Sequence, residues 1–460
     1  MDRFRWIFCQ LEVLRDCLPS SVRRTLDELP ESLDETYQRI LKEIKKPNRD
    51  LARRVLQYLV VTTRPLRVAE LAEVLAVDFH DAEGIPRLNS NWRWEDQEQA
   101  LLIACSSLIA IVKAGDVEAS DSDSDVEAGD SRIVQFSHFS VKEFLTSSRL
   151  ATASGEVSNY YIDLELAHTI LAQACLGVLL QMQDDVEGCT AEDHPLARYA
   201  AKHWTTHAQF GEVSSHLQEG IGYLFDTNKP HFNVWLTLYD IDTYPYKEAT
   251  FTLFASHTKS PAAPLYYAAL CGFHDLVEFL ITKYPQDVNA NGGHYVRPVV
   301  AALAGEHFRT VDLLCHNGAD TNVRSRNGMN PLHAAARSGN FKVARKFIEY
   351  DPAYIHARDK AGWTPLHWAP TGHNFDDGSV LRLLLEHGAD INAQTLQGST
   401  PLLLAAMYRA PGVVRLLLEH GADVEVKNNS GQTVLQVAAN KGLGEIVKLL
   451  REHGASRNTL

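Results

Sequence analysis

The sequence predicts a mostly α-helical protein, in which an α-solenoid of about six repeats follows a smaller helical and α+β region. The solenoid is predicted by a six-residue motif at 330–335, which recurs at 364–369, at 400–405 and, more weakly, at 433–438. The α+β region is predicted by a different pattern early in the chain, where three helical segments precede two short β-rich runs.

The spacing of the motif identifies the kind of repeat. Its clearest copy reads Thr-Pro-Leu-His-Trp-Ala, and two degenerate copies precede the copy at 330–335. The second residues of the six copies are Pro264, Pro298, Pro331, Pro365, Pro401 and Val434. Subtraction gives steps of 34, 33, 34, 36 and 33 residues. A period near 33 with this motif is the ankyrin signature, and stacked repeats of this kind form an extended binding surface.

Residue types within each repeat fit the ends of its two helices. Thr364 is suited to cap a first helix, and Pro365 fits the first helical position, where no N–H is needed. The Leu-rich second helices are followed by Gly388, Gly421 and Gly454, where the chain is expected to turn through a left-handed conformation.

One repeat departs from this pattern. Pro370 falls inside a predicted first helix, where proline costs about 3 kcal/mol. The same repeat belongs to the 36-residue step. We therefore expect a shortened helix and a loop that bulges between Pro370 and Gly378.

The chain before the repeats divides into three predicted segments. Residues 1–50 read as helical, and residues 51–150 as a winged-helix-like domain. Residues 160–258 form a further helical region and a connector, and the ankyrin repeats occupy 260–460.

The winged-helix prediction rests on the order of elements. Three helices and then two strands are expected at 51–61, 68–75, about 95–105, 108–112 and 132–136. The strands are separated by an acidic segment rich in Gly and Ser at 115–131, which we interpret as the wing loop of a hairpin. A helix with Ser140 as a plausible N-cap follows the second strand.

Composition narrows the possible partners and compartments. The chain has 460 residues and a formal net charge of −14, which disfavours nucleic acid and anionic membrane as direct partners. Seven scattered cysteines without C-x-x-C indicate reduced thiols in the cytoplasm or nucleus. The start lacks an apolar signal core, and the longest apolar run, about Leu164 to Leu180, includes Glu165 and therefore predicts a buried helix and not a membrane span.

Four segments of the first half resemble a family of fungal NACHT–ankyrin proteins. They are Phe4–Glu12, Leu29–Tyr37, His138–Leu145 and Pro195–Trp204. With the repeats, the resemblance covers nearly the whole chain. It implies the post-NACHT region of signal-transducing, STAND-type NTPases of the kind used in fungal self/non-self recognition.

The NTPase domain of that family lies before the point where this chain begins. No segment of the sequence matches G-x-x-x-x-G-K-[ST], the loop whose amides and Lys bind phosphates. The resemblance therefore implies the arm and sensor of such a switch without its NTPase domain.

Six residues near the turns and first-helix ends of the repeats are candidate contacts for a protein partner. Exposed Arg, Trp and Tyr are the types that anchor protein interfaces. The turn positions are Arg326, Met329, Lys360 and Trp363, and the helix-end positions are Arg337 and Tyr408. The turns are expected to be exposed and the helix ends to face the concave side of the solenoid. The alternative is that all six are scattered surface residues.

Histidines offer only weak signs of a chemical site. His203 and His207 have the spacing of helical metal ligands, but no third ligand is suggested, although Cys189 and His194 are near in sequence, so packed or solvated histidines are the better interpretation. Repeat histidines are expected to hydrogen-bond backbone groups between repeats; these are His333, His367, His387, His420 and His453. No catalytic residue, metal site or cofactor is predicted.

These observations predict a non-enzymatic intracellular scaffold or regulatory protein, which binds another protein through its ankyrin surface. One alternative is a nuclear transcriptional co-regulator that acts through protein contacts. Another is part of a NACHT-type signalling NTPase whose NTPase domain is missing from this chain. Neither a small-molecule substrate nor a membrane partner is indicated.

Overall fold

The computed structural model describes residues 32–79, 86–89, 92, 96–105, 107–113, 132–182, 194–242, 262–293, 295–324, 327–371 and 378–454. They belong to two compact units, an N-terminal unit of residues 1–240 and a C-terminal unit of residues 241–460. The predicted wing loop at 115–131 and most of the helical segment at 1–50 lie outside the described residues.

The N-terminal unit begins with the predicted order of helices and strands. Its first elements are α1 (Leu33–Glu43), α2 (Arg49–Val61), β1 (Leu66–Arg67), α3 (Val68–Leu75), β2 (Val77–Asp78), β3 (Arg87–Leu88), α4 (Gln97–Cys105), β4 (Ile109–Lys113) and β5 (Arg132–Phe136). The three predicted helices of the winged helix are α2, α3 and α4, and the predicted hairpin is β4–β5. Strands β1, β2 and β3 were not predicted.

The sheet is antiparallel throughout the described strands. β4 and β5 pair from Ile109 opposite Phe136 to Lys113 opposite Arg132. β1 joins the other edge of β5, with Leu66 opposite Val134, so the strand order is β1-β5-β4. The separate pair β2–β3 packs against the later helix at Leu164–Leu179.

Helical elements complete the N-terminal unit. They are α5 (Phe139–Leu145), α6 (Ser148–Ala151), α7 (Leu164–Leu179), α8 (Ala197–Ala208), α9 (Val213–His216), α10 (Gln218–Leu224) and α11 (His231–Leu238). As predicted, the apolar run forms a buried helix, α7, which packs on α8. Trp204 and Trp235 are both fully buried in an edge-to-face pair. None of the described helices has the length and apolarity to cross a membrane.

The cap of α5 differs from the prediction. His138, not Ser140, precedes the helix, and its Nδ1 accepts a hydrogen bond from the Ser140 N–H at 3.3 Å. The Ser140 hydroxyl instead lies 2.8 Å from the Tyr37 hydroxyl of α1. The same hydroxyl lies 2.6 Å from His138 Nδ1, so Ser140 contacts the capping residue from inside the helix.

Two carboxylates of α3 are buried and tie the winged helix to its surroundings. Both Glu70 oxygens accept hydrogen bonds from the Arg64 guanidinium, at 2.7 and 2.8 Å. Glu70 also accepts from the Arg67 N–H at 2.8 Å. Glu73 accepts from the Leu196 N–H at 2.5 Å, which links α3 to the start of α8. These contacts give hydrogen-bond partners to two carboxylates that would otherwise be costly to bury.

The C-terminal unit consists of six helical hairpins, which we number repeats 1 to 6. Their helices are α12 (Pro264–Cys271), α13 (His274–Lys283), α14 (Pro298–Ala304), α15 (Phe308–His316), α16 (Pro331–Ser338), α17 (Phe341–Tyr350), α18 (Pro365–Trp368), α19 (Ser379–Glu386), α20 (Pro401–Met407), α21 (Pro411–Glu419), α22 (Val434–Asn440) and α23 (Gly444–Glu452). Repeats 1 and 2 form the same hairpin despite their degenerate motifs.

The helix ends follow the residue types that predicted them. Thr400 and Asn330 accept from the backbone N–H three residues on, at 3.3 and 3.0 Å. The predicted glycines after the second helices have positive φ, with values of 87° at Gly388, 84° at Gly421 and 93° at Gly454. These angles are unfavourable for residues with a Cβ atom, so glycine is the expected residue there.

Repeat 4 has the shortened helix that Pro370 predicted. α18 ends at Trp368 after four residues and continues as a 3₁₀ turn, Ala369–Thr371. Proline has no N–H for a hydrogen bond, so the α-helix cannot continue regularly through it. The predicted bulging loop falls largely on residues 372–377, outside the described part of the chain.

Candidate partner-binding surface

The hairpin turns before the first helices of repeats 3 to 6 are joined to one another. One backbone hydrogen bond links each neighbouring pair of tips. The bonds run from Lys360 N–H to Asn327 O (2.9 Å), from Leu396 N–H to Ala361 O (3.0 Å) and from Asn429 N–H to Gln397 O (3.1 Å). We call these tips, with the first helices beside them, the tip surface. Its backbone is positioned before any partner arrives.

Side chains at one repeated position reinforce the tips. Arg324, Arg358 and Gln394 lie seven residues before Pro331, Pro365 and Pro401. Each donates to a carbonyl of its own tip and to a carbonyl of the next tip. The closest of these contacts joins Arg358 to Gln394 O at 2.7 Å. Sequence reasoning missed this set, although its regular spacing was a usable signal.

Glycine is required where adjacent tips approach closely. Gly362 has a φ of 78°, and a Cβ atom there would lie 2.9 Å from the Leu396 backbone nitrogen. Gly431, the equivalent residue in repeat 6, has a φ of 74° but has open space around the Cβ position. The two glycines therefore share a backbone conformation, but only Gly362 lies close to a neighbouring tip.

We expect Gly362→Ala to destabilise the repeats more than Gly431→Ala does. Both substitutions impose left-handed strain of roughly 1–2 kcal/mol. Gly362→Ala adds a clash with the next tip, for which overpacking suggests about 1–3 kcal/mol more. Urea unfolding with hydrogen exchange read at Leu396 measures both effects. Equal losses in the two variants would show that the tips do not press on one another.

Two tryptophans and an arginine form a cluster on the tip surface. The rings of Trp363 and Trp368 have centroids 4.8 Å apart, and the Arg337 guanidinium lies 5.6 Å from the Trp368 centroid. Asp359 accepts from the Trp363 N–H at 2.9 Å and from the Trp368 indole N–H at 3.1 Å. We call Arg337, Trp363 and Trp368 the Trp–Arg cluster, which the buried Asp359 holds in place.

The structure places the predicted contact residues unevenly. It brings Arg337 and Trp363 together through Trp368, which sequence reasoning missed, and leaves both half-buried. Lys360 is exposed at the tip of repeat 4, and Tyr408 is 49% exposed just after α20. Arg326 lies outside the described residues.

The prediction that Met329 is exposed was wrong. Its side chain is fully buried, two positions before the first proline of repeat 3. Trp363 occupies the equivalent position in repeat 4 and is half-buried. The Met329 thioether is apolar, and the next hairpin docks on this turn at Asn327, so the side chain leaves water.

Two repeat histidines join neighbouring repeats, as predicted. His333 Nδ1 accepts from the Asn330 N–H, and Nε2 donates to Trp363 O, both at 3.1 Å. His367 Nδ1 accepts from the Thr364 N–H at 3.1 Å, and Nε2 faces Ala393 O at 2.9 Å. Burial is the main cause that lowers the pKa of each to about 4.

For the other three repeat histidines the prediction was wrong. His387, His420 and His453 use Nδ1 to contact the carbonyl four residues earlier in their own helices, at 2.9, 2.8 and 3.0 Å. The backbone N–H of each of these histidines donates to the same carbonyl, so the ring adds a second contact at the C-terminal end of its own helix and reaches no neighbouring repeat there.

Titratable groups elsewhere are engaged in packing. His207 is buried and bonded on both ring nitrogens, to His168 at 2.9 Å and to the Tyr199 hydroxyl at 2.9 Å. Burial, followed by the charges of His168 and His203, lowers the pKa of His207 to about 3. Burial raises the pKa of Cys105 to about 12, so its thiol stays protonated. Within the described residues, no group of three or more His, Cys, Asp or Glu could hold a metal ion.

Curated relatives match parts of the chain. Azaphilone pigments biosynthesis cluster protein L of Monascus ruber is 29% identical over 308 residues, which cover 64% of this chain and 61% of that protein. Alpha-latrocrustotoxin-Lt1a of Latrodectus tredecimguttatus is 32% identical over 156 residues, which cover 32% of this chain and 11% of the toxin. The chain thus spans less than two thirds of the length of these relatives.

Among solved structures, the ankyrin repeat domain of Bcl-3 aligns with 44% of this chain and 90% of its own, at 28% identity and a TM-score of 0.39. Two protein-family models match defined segments of this chain. The model for ankyrin repeats covers residues 299–395 and 372–459. The model for the winged helix domain of GPI inositol-deacylase covers residues 37–155. The chain therefore contains ankyrin repeats, preceded by a winged-helix domain of the GPI inositol-deacylase type.

Proposed function

We propose that this chain binds another protein through its tip surface and acts without catalysis, as a scaffold or regulator. The observation that carries the proposal is the Trp–Arg cluster, because Trp and Arg are enriched among residues that dominate interface energies. The match to ankyrin repeats supports a protein-interaction role for the region that contains it.

The cluster is prepared for binding by its internal contacts. Asp359 bonds one indole N–H and the backbone beside the other ring, so the side chains lose little conformational freedom when a partner arrives. Arg337 and both tryptophans remain partly exposed, which leaves surface for a partner to cover. The backbone hydrogen bond from Lys360 to Asn327 joins the tips of repeats 3 and 4.

Action without catalysis is part of the same proposal. His333 and His367 form helix caps and inter-repeat bonds, and His207 is bonded on both sides within the core. One curated relative, which matches 64% of this chain, is named for a pigment biosynthesis cluster, and that name states no reaction. We infer an accessory, protein-binding role, in a compartment that keeps thiols reduced, since Cys105, Cys175 and Cys271 are free.

Substitution within the cluster tests the proposal. We expect Arg337→Ala and Trp363→Ala to reduce recovery of the bound protein by at least about tenfold, since hot-spot residues contribute roughly 2 kcal/mol or more. The measurement is quantitative mass spectrometry after affinity purification of the full chain from its native cells.

Arg345→Ala is the matched control. Arg345 belongs to the same repeat as Arg337 but lies exposed on the second helix, paired with Glu349 at 3.0 Å. Its substitution should leave recovery unchanged. Equal recovery with all three folded variants, or no specific protein recovered with the wild type, would refute the proposal.

A further inference from the structure

A polar cleft of about 430 Å³ lies between repeats 5 and 6. This volume is within the roughly 300–1,000 Å³ typical of ligand sites. Its walls come from the two tips and from the ends of α20 and α22. The lining residues that matter below are Gln397, Ser399, Met407, Asn428, Asn440 and Lys441.

The cleft contains polar groups that are not used by the fold. Gln397 and Asn440 are exposed, and their side-chain amides make no hydrogen bond within residues 378–454 or the other described ranges. Asn428, by contrast, holds its wall in place, since Oδ1 accepts from the Ser430 and Gln432 N–H groups at 3.1 and 2.9 Å. The cleft thus combines a fixed wall with free donors and acceptors.

The electrostatic character of the cleft is opposite to that of the whole chain. Lys441 is the one charged residue in the lining, all of which is described, while the chain carries a formal charge of −14. Its ammonium contacts Met407 O at 3.5 Å and is otherwise exposed to solvent. An ammonium group among neutral amides attracts carboxylates. The lining itself contains no carboxylate that would compete for Lys441.

We propose that this cleft binds an extended segment of the partner polypeptide, with a carboxylate of that segment at Lys441. The inference rests on the proposed function, because it names the part of the partner that enters the tip surface. Each peptide group offers an N–H donor and a carbonyl acceptor, and the side-chain amides of Gln397 and Asn440 offer NH₂ donors and a carbonyl acceptor to match them. An apolar ligand would leave these amides without partners.

An apolar residue of the lining suits the side chains that flank such a carboxylate. Met407 lines the cleft and is 40% exposed at the end of α20. Met side chains adapt to partners of different shape. The segment is therefore expected to carry apolar residues next to its acidic residue.

Synthetic peptides test the inference with the full chain. Three sets of capped peptides have randomised Gly, Ser, Asn and Leu positions and a central Glu, Gln or Lys. We expect the Glu set to bind best in fluorescence polarisation. Lys441→Ala should weaken the Glu set roughly tenfold, to the level of the Gln set, because a hydrogen bond to a charged group is lost. Lys441→Glu should shift the preference to the Lys set.

Two further variants separate charge from main-chain recognition. Gln397→Ala combined with Asn440→Ala should weaken all three sets alike. Lys448→Ala, an exposed lysine on the second helix of repeat 6, should change nothing. The inference is overturned if wild type binds the three sets equally, if Lys448→Ala matches Lys441→Ala, or if N-acetylglutamate alone binds as tightly as the peptides.

The peptide-binding experiment and the affinity purification with Arg337→Ala can be told apart by their results. If Arg337→Ala abolishes partner recovery while the peptides show no preference, the proposed function stands and this inference fails. If the Glu set binds at Lys441 while Arg337→Ala and Trp363→Ala recover the partner fully, the proposed function through the Trp–Arg cluster fails and peptide binding at the cleft stands alone.

Discussion

Acidification from pH 6.5 to pH 4 is expected to remove about 3 kcal/mol of stability at each of two histidines in the repeats. Burial lowers the pKa of His333 and His367 from 6.5 to about 4. Between those pH values the unfolded chain binds more protons than the folded chain does. The stabilisation is therefore complete above pH 6.5 and is lost as the pH falls toward 4.

The hydrogen bonds explain why these imidazoles must stay neutral. Nδ1 accepts from a backbone N–H in both residues, and Nε2 lies against carbonyls of the next repeat. A proton on Nδ1 would place two N–H groups against each other. Acid should therefore break the helix cap and separate adjacent repeats in one step.

Repeat 6 supplies the matched substitution. There Gln436 takes the place of histidine, and its Oε1 accepts from the Thr433 N–H at 3.0 Å. His333→Gln with His367→Gln should keep the cap acceptor and flatten the dependence of stability on pH between 4 and 6.5. Hydrogen exchange of peptides within residues 327–371 measures this in the full chain.

His316→Gln provides the control, because His316 is exposed at the end of α15. It should leave the pH profile of residues 327–371 unchanged. If the double variant kept the steep loss of protection between pH 6.5 and 4, other groups would have to cause it.

The second large effect is expected in the N-terminal unit, from Glu70→Ala. The substitution leaves the Arg64 guanidinium and the Arg67 N–H without their carboxylate. Breaking a buried pair costs roughly 3–5 kcal/mol, and we expect about 3 kcal/mol because the Arg64 side chain is 29% exposed and recovers some hydration. Hydrogen exchange in α2 and α3 reports the loss.

Glu156→Ala is its counterpart on the surface of the same unit. Glu156 also pairs with an arginine, Arg49, but its side chain is 72% exposed. Exposed pairs contribute about 1 kcal/mol or less. Similar losses for the two variants would mean that burial of Glu70 does not matter to the pair.

Local signals in the sequence predicted most helices, because each depends on nearby residues. α3 was predicted at 68–75 and observed at Val68–Leu75, and Pro370 marked the short helix of repeat 4. β1 was missed because it has two residues and exists only through its pairing with β5. A strand so short has no periodicity of its own.

The sequence predicted where the candidate surface lies, but it did not predict which side chains contact one another there. Arg337 and Trp363 were selected as interface types, but Trp368, which contacts Arg337 from the next repeat, and Asp359, which bonds both tryptophans, were not. Met329 and Trp363 occupy the same place in successive repeats and differ in burial. Such differences depend on the neighbouring hairpin, which the repeat pattern does not specify.

Repeat 4, the longest repeat, has altered helices, but its tip is bonded to the neighbouring tips as elsewhere. Its second helix starts fourteen residues after Pro365, compared with ten after Pro331 and Pro401, so the added length lies between its two helices. The bonds from Lys360 to Asn327 and from Leu396 to Ala361 have nearly equal lengths, 2.9 and 3.0 Å, on either side of this repeat. A partner would thus meet an unbroken row of bonded tips, and the chain can lengthen between the two helices of a repeat without interrupting that row.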